Sequence, residues 1–444
     1  MQHCSFVIVL TIALPAFGYG QATATASAPI ATSGLNLGVV NGTFRYGATA
    51  SESFQTGYGQ NQNLSEQTNI SGSLIYATKS LKTPFNAIYT GGVLFSTQRN
   101  YGTNTFQSLA LSQGYIAKGW SLGLSDAVSY LPQSPTVGLS GIPGTGDMGL
   151  SPVVGGDTPA QNILTYNSNR ISNTASATAS RSLTARTALT GVVSYGILHY
   201  FDNDSLNTKQ ISGDLGVNHE IDPRTSVGVD ASYSIFTFGN YLVVPQSQAG
   251  GDASFTTRAL SVRGQRQFTR ALSGSLSVGP QWVNSSSKLG IPSRLGVYVN
   301  GNATYVRRFG TFLASYSRGA NGGSGVLPGA FSDSIVGSAS RAYGHNWAVS
   351  GNVGFTRTSG LGASLNSNLI VLPGVGSYGN FDSTFAGAQV TRRISDSFSG
   401  FASYTASNQT YGNVRSLPGA ISGLVQSFSI GVSWYPKSTN LGQF

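Results

Sequence analysis

The residues with the clearest potential for chemistry are His199, Asp202 and Asp204, in the stretch ILHYFDND. A histidine beside a carboxylate can activate water or a nucleophile, so the group could serve a hydrolase. Such a site needs a second carboxylate pair opposite, and Asp and Asn are also ordinary turn formers in solvated loops. We therefore expect that the protein is not an enzyme, with a hydrolytic site at this position as the alternative.

Two further patterns bear on cofactors and metals. Residues 144–149, GTGDMG, match the glycine spacing of a dinucleotide site. That site requires a preceding strand and a following helix, whereas Pro143 precedes this stretch and Ser151 and Pro152 follow it. No cluster of His, Cys, Asp and Glu has metal-ligand spacing. The sequence predicts neither a cofactor nor a metal site.

The dominant pattern is alternation with a period of two, as in QSFSIGVSWYP near the C-terminus. Phe428, Ile430 and Val432 fall on one side of the stretch, and Ser427 and Ser429 on the other. Successive side chains of a β-strand point to opposite faces, so this pattern predicts a strand with one apolar and one small polar face. Abundant glycine and the scarcity of helical spacing favour an all-β protein.

About 18 such segments of roughly ten residues follow one another, the length that a tilted strand needs to cross a bilayer. Tight turns alternate with longer Gly/Pro/Asn/Ser loops along the chain. This alternation predicts an antiparallel up-and-down transmembrane barrel of about 18 strands, with about 16 as the alternative, that has short periplasmic turns and long external loops.

The N-terminus predicts export. An apolar run over residues 6–17 has the length of a signal-peptide core and is too short to span a bilayer. We assign residues 1–20 to a signal peptide, 21–34 to an Ala/Thr-rich leader, 35–436 to the barrel and 437–444 to a C-terminal extension. The cysteine at position 4 belongs to the predicted signal peptide, so the mature chain would contain no cysteine.

Alternation alone leaves open whether the apolar face meets lipid or a core, because a soluble sandwich also alternates. Charged residues make up only 9% of the chain. A soluble protein with so many consecutive strands would need a split core, whereas a wide barrel has a polar interior. Tryptophans lie at strand ends, as in interfacial girdles. We expect the apolar face to contact lipid and the girdle to consist of Trp120, Trp282, Trp347 and Trp434.

With these features the chain resembles porin-like bacterial outer-membrane β-barrels over Leu35 to about Pro436. SFSIGVSWYP resembles the C-terminal signal read by the barrel assembly machinery. The third long loop, residues 131–161, has the ordinal position of a porin constriction loop, which usually carries acidic residues. The resemblance therefore offers Asp147 and Asp157 as constriction residues, and a mobile surface loop is the alternative.

The formal charge of +10 invites a nucleic-acid partner, which export argues against. Many basic residues lie near tight turns, where lipid head groups would meet them. Alternation places others in the lumen, namely Arg45, Arg263 and Arg294, and they predict a weak anion preference. The expected function is passive diffusion of small hydrophilic solutes. A closed barrel acting as an anchor or adhesin is a further alternative. The sequence leaves open whether the barrel assembles as a homotrimer.

Overall fold

The computed structural model describes residues 42–56, 64–78, 80, 82–96, 103–131, 169–201, 207–241, 251–324, 327–362, 380–411, 423–437 and 439–441. The predicted signal peptide and leader lie outside these ranges. No helix among the described residues is long and apolar enough to cross a membrane.

Strands make up almost all of the described chain, as the alternating pattern predicts. In chain order they are β1 (Gly42–Thr56), β2 (Ser65–Thr78), β3 (Phe85–Ser96), β4 (Thr103–Ala117), β5 (Trp120–Leu131), β6 (Arg170–Ser182), β7 (Thr187–Tyr200), β8 (Thr208–Asp222), β9 (Thr225–Tyr241), β10 (Gly251–Gln267), β11 (Leu272–Val283), β12 (Arg294–Arg307), β13 (Gly310–Ser324), β14 (Leu327–Tyr343), β15 (Trp347–Gly360), β16 (Asn380–Arg393), β17 (Phe398–Tyr411), β18 (Gly423–Trp434) and β19 (Thr439–Leu441).

Each long strand pairs antiparallel with its neighbours in sequence, and β1 pairs with both β2 and β18. The sheet is therefore closed, which leaves no long strand edge exposed. The predicted antiparallel up-and-down barrel of about 18 strands is confirmed. The short β19 adds a further pairing to β1.

The barrel is apolar outside, and its enclosed face is rich in small polar side chains. In β18, Phe428 and Ile430 are 45% and 53% exposed, whereas Ser427 and Ser429 are 5% and 7% exposed. Serines on the enclosed face of neighbouring strands also bond to each other, for example Ser277 Oγ to Ser261 Oγ at 3.0 Å. This arrangement reverses that of a soluble protein and leaves a large apolar surface of the kind that lipid covers in membrane barrels.

The two rims of the barrel differ, as the sequence predicts. One rim carries tight turns, such as the two residues between β4 and β5, where Gly119 adopts a positive φ of 77°. Another such turn is closed by Asp222, whose carboxylate accepts a hydrogen bond of 2.7 Å from the Arg224 backbone N–H. That bond lowers the pKa of Asp222. We call this end the short-turn rim and the opposite end the long-loop rim.

The barrel closes at a seam between β1 and the C-terminal strands. Ala48 pairs with Trp434 and Phe44 pairs with Thr439, so three residues of β1 and four residues on the other side lie between these pairs. A Cβ at Gly47 would overlap the Tyr435 ring, so this position requires glycine. Part of the predicted C-terminal extension therefore belongs to the sheet.

Candidate functional site: the barrel lumen

The lumen is packed in the half nearest the long-loop rim. Large side chains on the enclosed face there are almost inaccessible: Leu94 1%, Phe106 0%, Tyr200 1% and Phe238 1% exposed. Side chains lining a wide, water-filled lumen would be exposed to water. Protein therefore covers the inner wall at this level, and the lumen is narrower here than a bare barrel of this strand number would be.

One part of that cover is the tip of the β13–β14 hairpin, residues 319–324 and 327–332. The pairing of β12 with β13 ends at Val299 and Arg318, while β13 continues paired with β14 as far as Ser324 and Leu327. Beyond Arg318 the hairpin tip passes inside the wall. A Cβ on Gly296, which belongs to the enclosed face of β12, would overlap the ring of Phe331 in the hairpin tip.

The hairpin tip and the wall enclose an apolar core inside the barrel. The face of the tip that alternation would direct outward packs on the enclosed face of β9, β10 and β11. The buried members are Phe236, Phe238, Ala253, Phe255, Val283, Leu289, Ile291, Ala320, Phe331 and Leu361. The rings of Phe236 and Phe255 stack with their centroids 4.9 Å apart. Burial of such side chains stabilises the arrangement by about 1.5–3 kcal/mol each.

Polar contacts fix the hairpin tip in register. The Gln281 side chain of β11 accepts a hydrogen bond of 2.7 Å from the Ala320 N–H and donates one of 3.3 Å to the Ala320 carbonyl. The Gln281 side chain thereby pairs with the backbone N–H and carbonyl of Ala320, which a strand neighbour such as β12 would otherwise pair with. On the other face of the tip, Asn321 Nδ2 donates to Ser332 Oγ at 2.9 Å. The hairpin thus has an apolar side against the wall and a polar side away from it.

An ion pair lies on the enclosed face between this core and the short-turn rim. Arg263 Nη2 is 3.1 Å from Asp230 Oδ1, and the two side chains are 19% and 20% exposed. Asp230 is accommodated by Gly216, where a Cβ would overlap the carboxylate. The carboxylate neutralises the guanidinium, so Arg263 adds little net positive charge to the lumen.

The other two predicted lumen arginines occupy different positions. Arg294 shares the enclosed face of β12 with Tyr298, and its guanidinium carbon lies 5.1 Å from the centre of the Phe331 ring. Arg45 is exposed and shares the enclosed face of β1 with Ser51 and Ser53. The three arginines are therefore not brought together, and each meets a different environment.

The predicted catalytic group is placed only in part. His199 pairs with Ile171 on the outward face of β7, and its ring meets Phe201 edge-on with centroids 5.2 Å apart. Asp202 and Asp204 lie outside the described residues, as do the predicted constriction residues Asp147 and Asp157. Within the described ranges, no three His, Cys, Asp or Glu side chains are close enough to hold a metal ion.

The four tryptophans of the predicted girdle all point outward and are 37–45% exposed. Trp120 and Trp347 lie at the short-turn rim, where Arg181 and Arg392 stand 5.1 and 5.2 Å over their rings. Trp434 lies at the same rim, 5.8 Å from the Tyr46 ring, and Trp282 lies at the opposite one. Cation-π pairing keeps the arginine head groups at the level of the rings.

No protein-family model matches the chain, and no curated protein matches its sequence. Among solved structures, Pseudomonas aeruginosa OprD aligns over 95% of this chain and 99% of its own, at 9% identity and a TM-score of 0.41. P. aeruginosa OccK7 (OpdD) aligns over 89% and 98% at 9% identity and 0.44, and the Neisseria meningitidis FrpB iron transporter over 88% and 81% at 8% and 0.43.

These values are too low to establish a relationship. The class is defined instead by the barrel itself, which is closed, antiparallel, apolar outside and polar inside. Its architecture is that of a porin-like membrane β-barrel.

Proposed function

We propose that the protein is an outer-membrane channel for the passive diffusion of small hydrophilic solutes. The observation that carries the proposal is the division of the sheet into an apolar outer face and an inner face that is rich in Ser, Thr, Asn and Gln. The signal peptide predicted at residues 1–20 supports export. Recognition of the C-terminal strands by the barrel assembly machinery would complete insertion into the membrane.

The packed half of the lumen supports selection by size. Solutes would have to pass the level of the hairpin tip, where the inner wall is already covered. A lining of hydroxyl and amide groups offers hydrogen bonds without a strong field, which suits neutral polar solutes. We propose a weak anion preference in addition, which rests on the net charge of +10 and on Arg45 and Arg294. Arg263 contributes less because Asp230 neutralises it.

Single-channel recording of the folded protein in a planar bilayer tests the channel. Discrete conductance steps of reproducible size are expected in symmetric salt. The reversal potential in a salt gradient then reports ion preference, and cation preference would refute the proposed weak anion preference. A folded, heat-modifiable barrel that inserts and gives no steps would refute the channel.

A closed barrel acting as an anchor or adhesin is the second candidate. It is favoured by the near-complete burial of Phe106 and Tyr200 on the enclosed face. Absence of steps at every voltage would support it. The rim hydrolase is tested separately: loss of a hydrolytic activity in His199→Ala, with the barrel folded, would support an enzyme.

A further inference from the structure

A shallow apolar cavity of about 530 Å³ lies on the outer wall of the barrel, across β11 to β15. Its size falls within the roughly 300–1,000 Å³ of small-ligand pockets. Small outward residues on adjacent strands form its floor, and larger apolar ones flank it. The floor consists of Ala303, Ala314, Gly337, Ala339 and Gly351, and the flanks of Leu272, Tyr305, Phe312 and Val353.

Strand register places two arginines at one end of this groove. Tyr305, Phe312 and Ala339 pair in one row across β12, β13 and β14. Two residues closer to the short-turn rim, the next outward row is Arg307, Gly310 and Arg341. The two arginines are therefore separated by two strand spacings, about 10 Å. Between them Gly310 presents no side chain, so the wall between the two cations consists of backbone and the stem of Arg341.

Both guanidiniums are exposed and lie on aromatic side chains of the wall, Arg307 on the groove side and Arg341 on the rim side. Arg307 Nε donates to the Tyr305 hydroxyl at 2.5 Å, and the Arg341 guanidinium carbon lies 4.7 Å over the Tyr343 ring. The ion pairs formed within the described part of the chain involve other arginines, namely Arg263, Arg318, Arg357 and Arg393. The described acidic side chains thus leave the charge at this end of the groove uncompensated.

We propose that this groove binds one anionic glycerophospholipid of the leaflet at the short-turn rim. Its phosphate would draw the exposed guanidiniums of Arg307 and Arg341 together over Gly310, and an acyl chain would fill the apolar floor. Charge complementarity selects the head group, since each arginine near a membrane surface favours an anionic lipid. The small floor residues accommodate the acyl chain because they leave a groove between bulkier neighbours. This inference goes beyond solute passage and depends only on membrane insertion.

Native mass spectrometry of the detergent-solubilised barrel, titrated with dioleoyl phosphatidylglycerol, tests the proposal. Wild type is expected to retain one lipid in preference to dioleoyl phosphatidylcholine. The double variant Arg307→Gln/Arg341→Gln should bind phosphatidylglycerol about thirtyfold more weakly, from about fivefold for each arginine. Arg181→Gln is the matched control, because Arg181 stacks on Trp120 at the same rim on β6, away from the groove.

A second variant tests the apolar part without changing charge. Ala339→Phe fills the floor and should also lose the retained lipid. Equal retention by wild type and the double variant would overturn the proposal. A dimer that Ala339→Phe dissociates would overturn it in favour of a second copy of the chain. Lipid retention without conductance steps would refute the channel and leave the lipid site standing, so the two proposals fail separately.

Discussion

The role of the hairpin tip leads to a defined prediction for Phe331→Ala. Phe331 is 8% exposed within the apolar core and lies against Gly296 on the wall. Removal of a buried phenylalanine side chain costs about 3–5 kcal/mol. The two hydrogen bonds between the Gln281 side chain and the Ala320 backbone remain, at about 1 kcal/mol each. The equilibrium between the packed and the released hairpin should therefore shift by roughly a hundredfold to a few thousandfold toward release.

Single-channel recording and limited proteolysis should both detect this release. We expect a second conductance level or marked flicker in Phe331→Ala, because the tip no longer stays on the wall. Cleavage within residues 319–332 should become faster for the same reason. Phe355→Ala is the matched control, since Phe355 faces outward on β15 and is 38% exposed. Traces and cleavage rates that match wild type would refute the assignment of the hairpin tip to the lumen.

Three other changes test the lumen and the seam. Asp230→Asn should strengthen anion preference, measured as the reversal potential, because Arg263 loses its counter-charge; an unchanged potential would contradict the ion pair. Gly47→Val should lower the yield of heat-modifiable barrel because the seam has no room for a side chain, whereas Gly264→Val, which meets open space, should fold normally. Removal of residues 439–444 should lower the melting temperature through loss of the β19 pairing; equal temperatures would show that this pairing contributes nothing.

The sequence by itself determined the strands, their order and the two faces of the barrel. Side-chain alternation in β18 separated Phe428 and Ile430 from Ser427 and Ser429, and the number of strands and the tryptophan positions indicated that the apolar set faces outward. Tight turns at regular intervals fixed the antiparallel order. These properties could be predicted because they are local: a strand repeats every two residues, and a tight turn joins neighbours.

Only the tertiary structure showed where a strand stops pairing with its neighbour in the sheet and which face its side chains then take. Alternation assigns Phe331 to the outer face, yet it is buried because the hairpin tip passes inside β12. Similarly, the sequence offered Arg263 as a lumen cation, and only the pairing of β9 with β10 places Asp230 beside it.

The groove depends on register in the same way, since Arg307 and Arg341 flank Gly310 only through the pairing of three strands. Such contacts join residues far apart in the chain, and a period of two carries no information about which residue stands opposite which. A shift by one residue would send every side chain of a strand to the other face. For this reason the sequence predicted the wall of the barrel, and the three-dimensional structure was needed to define its sites.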